Sequence, residues 1–147
     1  MSNAGQVRFN WERYLHLAKE LLESIPENED DEAKARCGIS RAYYAAYHKA
    51  ESYLNEIGIT IDIYQKGSHK RVIEEFYNIG RSNRLWRGID VSLKRLKNWR
   101  ESADYKDRFF DEVSNPHLTM RSILESAIIL TNDVIDRIKK IEEVEKQ

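Results

Sequence analysis

Residues 31–57 carry a helical repeat uninterrupted by proline, and no other stretch constrains the fold as strongly. At about 100° per residue, Ile39, Tyr43, Ala46, Ala50, Tyr53 and Ile57 fall on one stripe, which has to be buried against other helices. Cys37, Arg41, Tyr44, His48 and Glu51 form a second stripe on nearly the opposite side. A plain solvent face would carry Lys and Glu there, whereas this one mixes aromatic and ionisable groups. Gly38 is the one weak point in helix propensity, and Gly58 is placed to end the helix as a C′ glycine.

The rest of the chain repeats the helical pattern. Asn10 is a good N-cap for a first helix with Leu15, Ala18, Leu21, Leu22 and Ile25 at helical spacing, closed by Pro26. The acidic run from Glu27 to Glu32 then reads as a linker whose carboxylates favour the start of the next helix. Ser68 is expected to cap a third helix that Gly80 stops, and a fourth follows from Ser82 or Gly88 to Tyr105. Asn115 and Pro116 read as the N-cap and N1 pair of a last helix through Ile141. The pattern therefore predicts an all-α, up-and-down bundle of four main helices plus a short additional helix. Residues 1–9 are expected to be a flexible N-terminus, 10–141 one helical domain and 142–147 a frayed tail.

Composition narrows the function classes. The 147 residues include six Gly, two Pro and one Cys, and 24 basic against 25 acidic residues give a formal charge of −1. Charge is nevertheless unevenly divided. Residues 1–65 hold seven basic and eleven acidic groups, 66–108 hold twelve and six, and 109–147 hold five and eight. The basic middle could attract phosphate, or it could be the ordinary charge segregation of a helical bundle. A lone Cys37 excludes an intramolecular disulfide and is expected to fill core space. No apolar run approaches the roughly 20 residues that span a bilayer, and the first residues lack an export signal, so a cytoplasmic protein without membrane contact is expected. Ser2-Asn3-Ala4 reads as a cloning scar.

There is no Walker loop, GxGxxG, HExxH, EF-hand loop or GxSxG. The four histidines are dispersed without an i, i+4 pair, so no metal or cofactor is implied. What remains is a set of charged groups where packing alone would not put them. Trp86, Ile89, Leu93, Leu96, Arg100 and Ala103 share one helix face, so Arg100 points where a core residue belongs. An unpaired arginine there costs several kcal/mol, so it needs Asp104 or Glu101 locally, or Glu51, Tyr44 or His48 across an interface. It is either a register-fixing ion pair or an anion clamp facing the polar stripe. On that stripe Arg41 and His48 share a face two turns apart, which would let one group hold a phosphate while the other exchanges a proton. His69, followed by Lys70 and Arg71, sits at a helix start, where it either serves ordinary capping or meets an anion.

Three segments carry a family resemblance: Ser40-Arg41-Ala42-Tyr43-Tyr44-Ala45-Ala46-Tyr47-His48, then Gly67-Ser68-His69-Lys70-Arg71-Val72-Ile73, then Arg100-Glu101-Ser102-Ala103-Asp104-Tyr105. In this order they resemble the HEPN domains (higher eukaryotes and prokaryotes nucleotide-binding), particularly the small stand-alone prokaryotic branch. The resemblance spans about residues 10–141. It implies a helical bundle that forms a homodimer with a cleft at the interface, and a toxin or antiphage-defence role. It further implies RNA or nucleotide binding, metal-independent endoribonuclease activity in many members, and a nucleotidyltransferase-type antitoxin as partner. Other members are noncatalytic modules that bind a nucleotide or a partner protein.

The family's nuclease motif is Arg, four to six residues, then His. Arg100 stands where the motif arginine is found, but the positions that would hold the histidine carry Tyr105, Lys106 and Asp107. Arg41 and His48 are the one pair with that spacing, on the second helix. The resemblance therefore points to Arg100, Asp104, Tyr105 and His48 as catalytic candidates, and to Arg41, Tyr44, His69, Lys70 and Arg71 as RNA- or nucleotide-binding candidates.

Overall fold

The computed structural model describes residues 9–109 and 118–146. Among them are five helices and no strand: α1 Glu12–Glu23, α2 Glu32–Glu56, α3 Ser68–Gly80, α4 Ile89–Tyr105 and α5 Met120–Glu145. The all-α bundle expected from the periodicity is the architecture observed. α2 is its axis, since it packs against each of the other four helices.

Short polar side chains set the helix starts. Asn10 Oδ1 accepts the Glu12 N–H at 3.1 Å, and Asp31 Oδ1 accepts the Lys34 N–H at 3.1 Å. The acidic linker does more than begin α2. Asp30 reaches across to α5 and accepts from the backbone N–H groups of Met120 at 3.0 Å and Arg121 at 2.8 Å. Thr119 completes that start by accepting from Ser122 N–H at 3.1 Å. The helix start read at Asn115 and Pro116 lies outside the described residues. At α3 the cap position is held by Gly67, with φ +87°, rather than by Ser68, whose hydroxyl is used by Tyr47 instead.

The apolar stripes close on one another. Ile39, Tyr43, Ala46, Ala50 and Tyr53 of α2 are buried, as are Leu93 and Leu96 of α4 and Leu124, Ala127, Val134 and Ile138 of α5. Ile57, at the frayed edge of the α2 stripe, is 39% exposed. Gly38 marks the closest approach of α2 to α5: a Cβ there would lie 2.6 Å from Leu124 Cδ1. Its absence of side chain therefore serves packing. Cys37 is exposed, contrary to the core role expected, because it lies on the polar stripe. The last helix continues through Glu145, and Lys49 holds Glu142 at 2.6 Å, so the segment expected to fray from 142 is helical and anchored.

Candidate functional site

Arg100 is 7% exposed, one turn before the end of α4 and on its core-facing side. Its guanidinium carbon lies 5.4 Å from the Tyr43 ring centroid, 5.7 Å from that of Tyr44 and 5.8 Å from that of Tyr105. All three are within the roughly 6 Å over which a ring quadrupole attracts a cation, worth about 0.5–2 kcal/mol each. The nearest carboxylate, Asp104, is 3.9 Å from Nη1, too long for a hydrogen bond, and Arg100 Nε is buried without a hydrogen-bond partner. Glu101, the other local candidate, turns to Lys97 at 3.3 Å. Among the described residues, this guanidinium is desolvated, faced by three aromatic rings and short of acceptors, which leaves it hydrogen-bonding capacity.

Two α2 residues hold the end of α4 in place. Ser40 Oγ donates to Asp104 Oδ2 at 3.2 Å. Four residues earlier, Arg36 spreads its fork over the end of α4 and the two residues after it: Nη1 donates to Ser102 O and Ala103 O at 3.3 Å and to Lys106 O at 2.5 Å, and Nη2 donates to Asp107 O at 2.9 Å. Helix C-termini leave carbonyls unsatisfied and carry partial negative charge, so a guanidinium is well suited there.

His69, at the start of α3, completes the cage from the other side. Its Nδ1 is 2.5 Å from the Tyr43 hydroxyl, and its ring stacks on Tyr47 with centroids 4.0 Å apart. Burial, then the positive charge of Arg100 and Lys97, holds the imidazole down to about pKa 4 from the ordinary 6.5. His69 is therefore neutral near pH 7. Burial also pushes the Tyr43 phenol far above its usual range, and Arg100 opposes that only partly. The protonated phenol either donates to Nδ1, which leaves the N–H on Nε2, or accepts from an Nδ1–H. Tyr47 in turn donates to Ser68 Oγ at 3.2 Å, and burial raises its pKa as well.

Tyr44 links this cage to His48. Its half-buried ring is 6.3 Å from His48 and 6.3 Å from His69. His48 is 8% exposed, stacks on Trp11 of the α1 approach at 3.6 Å, and has Nδ1 3.5 Å from Glu51 Oε1.

The structure thus sets Tyr44, Asp104 and Tyr105 around Arg100, and places Tyr44 between Arg100, His69 and His48. Arg41 lies over the Tyr14 ring at 4.9 Å, within the aromatic cluster in which Trp11, 5.4 Å from Tyr14, stacks on His48, so Arg41 and His48 both face the α1 approach. Lys70 is exposed and faces Glu74 at 3.8 Å, and Arg71 is exposed beside Gly67 and Ser68 at the rim of a small pocket. Sequence reasoning missed the parts played by Tyr43, Tyr47, Ser40 and Arg36. For Ser40 and Arg36 a signal existed, since they precede Tyr44 by one and two helical turns.

No protein-family model matches this chain, and no curated protein or solved structure shows significant similarity to it.

Proposed function

We propose that this chain is a HEPN-type toxin or antiphage-defence component that binds RNA and cleaves it as a metal-independent endoribonuclease. The observation that carries the reading is the Arg100 cage: a buried guanidinium ringed by Tyr43, Tyr44 and Tyr105, with an unpartnered Nε and its nearest carboxylate at 3.9 Å. In this reading Arg100 clamps a backbone phosphate and His69, with its proton on Nε2, adds a neutral N–H donor. The exposed Tyr105 ring lies against the strand. His48 takes the place of the histidine missing after Arg100: a ring nitrogen takes the proton of the attacking 2′-hydroxyl, the 2′-oxygen bonds to phosphorus as the phosphorus–5′-oxygen bond breaks, and the ring returns the proton to the leaving 5′-oxygen while Glu51 orients it. The resemblance in three segments supports the homodimer and the nucleotidyltransferase-type antitoxin as partners.

The expected result is cleavage of total RNA that persists in EDTA and is lost in Arg100→Ala and His48→Ala. Intact RNA with the wild-type protein across pH 5–9 contradicts the nuclease step. A second reading, a noncatalytic HEPN module, is favoured by one observation: the face of His48 is covered by Trp11 at 3.6 Å. It predicts salt-dependent binding of RNA or nucleotide without turnover.

A further inference from the structure

Beyond the arginine cage, a pocket of about 300 Å³ opens between the approach to α1 and the middle of α2, lined by Phe9, Trp11, His48, Glu51 and Ser52 among others. Phe9 meets Trp11 at 4.9 Å and Tyr14 at 5.3 Å with its ring steeply inclined to both, and remains 51% exposed. Trp11 lies flat on His48 and is 36% exposed. The wall therefore offers aromatic surface to a flat guest.

Two carboxylates line the wall, Glu12 and Glu51, and Glu12 is held by Lys139 at 3.1 Å, so Glu51 is the acceptor open to a guest. Glu51 receives one hydrogen bond from Asn55 Nδ2 at 2.8 Å, and Nδ1 of His48 is 3.5 Å away. A carboxylate has about four acceptor sites, so capacity remains. The one lysine lining the pocket, Lys49, is held by Glu142 at 2.6 Å, which leaves it poorly disposed toward a phosphate. Aromatic surface, a carboxylate with spare lone pairs and a neutralised cation suit an uncharged ring that carries N–H donors.

The geometry points to a nucleobase subsite here, formed by Phe9, Trp11 and Glu51, that prefers a base with an exocyclic amino group. It rests on the RNA reading, and deepens it, because His48 belongs both to this wall and to the Tyr44 bridge toward Arg100. A base seated here belongs to a nucleotide beside the clamped phosphate. An amino group donates to Glu51, whereas the uracil carbonyl at the same ring position meets the carboxylate acceptor to acceptor.

Cytidine and uridine separate these cases because they carry no phosphate and differ at that group. Titrated into the full chain while the His48 ring resonances are followed by NMR, cytidine is expected to bind at least about 5-fold more tightly than uridine, as a site that pairs a donor discriminates. Glu51→Gln is expected to bring the ratio below about 2-fold by removing the charged acceptor. Phe9→Ala is expected to weaken both nucleosides about 10-fold through lost stacking. Equal binding of the two nucleosides, no perturbation of His48, or indifference to Phe9→Ala overturns the subsite. Arg100→Met serves as the control: loss of RNA binding there with no nucleoside preference anywhere leaves the RNA reading standing and removes this one. Nucleoside preference with no RNA binding by the wild type does the reverse.

Discussion

At the scale of single residues, the informative side chains are those whose environment contradicts their chemistry. Arg100 is the clearest: helical periodicity placed it on the core face, and it is 7% exposed there. What periodicity could not supply was its company, because which turn of α2 lies opposite a given turn of α4 is decided by packing between helices. Tyr43 was legible as a core residue, yet its hydroxyl meets His69 at 2.5 Å and its ring underlies Arg100. A stripe analysis counts only the apolar body of a tyrosine. His69 supplies a pH prediction. Its pKa is about 4 in the folded chain against 6.5 for an ordinary imidazole, so the unfolded chain takes up the proton first as pH falls. This contribution to stability is fully present above about pH 6.5 and is lost progressively as pH falls toward 4. Denaturant midpoints at pH 7 and 4.5 are expected to differ less in His69→Gln than in wild type. An unchanged pH dependence in that variant contradicts the assignment.

At the scale of helices, α2 organises its neighbours through residues that are individually small or polar. Gly38 admits Leu124, and substitution to Ala trades a helix-propensity gain of up to about 1 kcal/mol against overpacking of about 1–3 kcal/mol. Leu124 is fully buried and has little room to yield, so Gly38→Ala is expected to lower the melting temperature modestly; a rise contradicts the close-packing account. Arg36 holds four carbonyls around the C-terminus of α4, the helix end that carries Arg100, Asp104 and Tyr105. Arg36→Gln is expected to speed amide exchange in the last turn of α4 and to weaken RNA binding, while amides in the middle of α5 keep their protection. Arg36→Lys retains the charge but not the fork and should recover only part of the effect. Uniform loss of protection across all helices would show a merely structural role. Helix boundaries followed the sequence where a side chain caps its own helix, as Asp31 does, whereas α1 has Trp11 at the cap position and Asn10 one residue before it. They departed where the cap comes from afar, as Asp30 does at the start of α5.

For the molecule as a whole, the bundle was legible because every helix carries its own apolar stripe, and stripes need only local sequence to be recognised. The candidate site was half legible. Arg100 meets Tyr44 of α2, which lies between His48 and His69, whereas Lys70 and Arg71 stay on the outer side of α3. Linear spacing put Arg41 and His48 on one face of α2, and α1 and its approach cover that face with Tyr14 and Trp11. The tract of residues 66–108, which includes Arg100, holds twelve basic against six acidic groups, a local excess that would give the RNA reading a long-range field. The central claim is that the caged guanidinium is kept for an anion rather than for stability, and the two roles predict opposite outcomes for one substitution. Replacing a buried charge with an apolar side chain of similar volume is commonly neutral or stabilising by about 1–4 kcal/mol. The deciding measurement is the affinity of Arg100→Met for a fluorescently labelled single-stranded RNA, alongside its melting temperature. The account predicts a variant at least as stable as wild type whose RNA affinity falls by at least about 10-fold, as expected when a charge-assisted phosphate contact is removed. A variant that binds RNA as wild type does, or that simply unfolds, contradicts it.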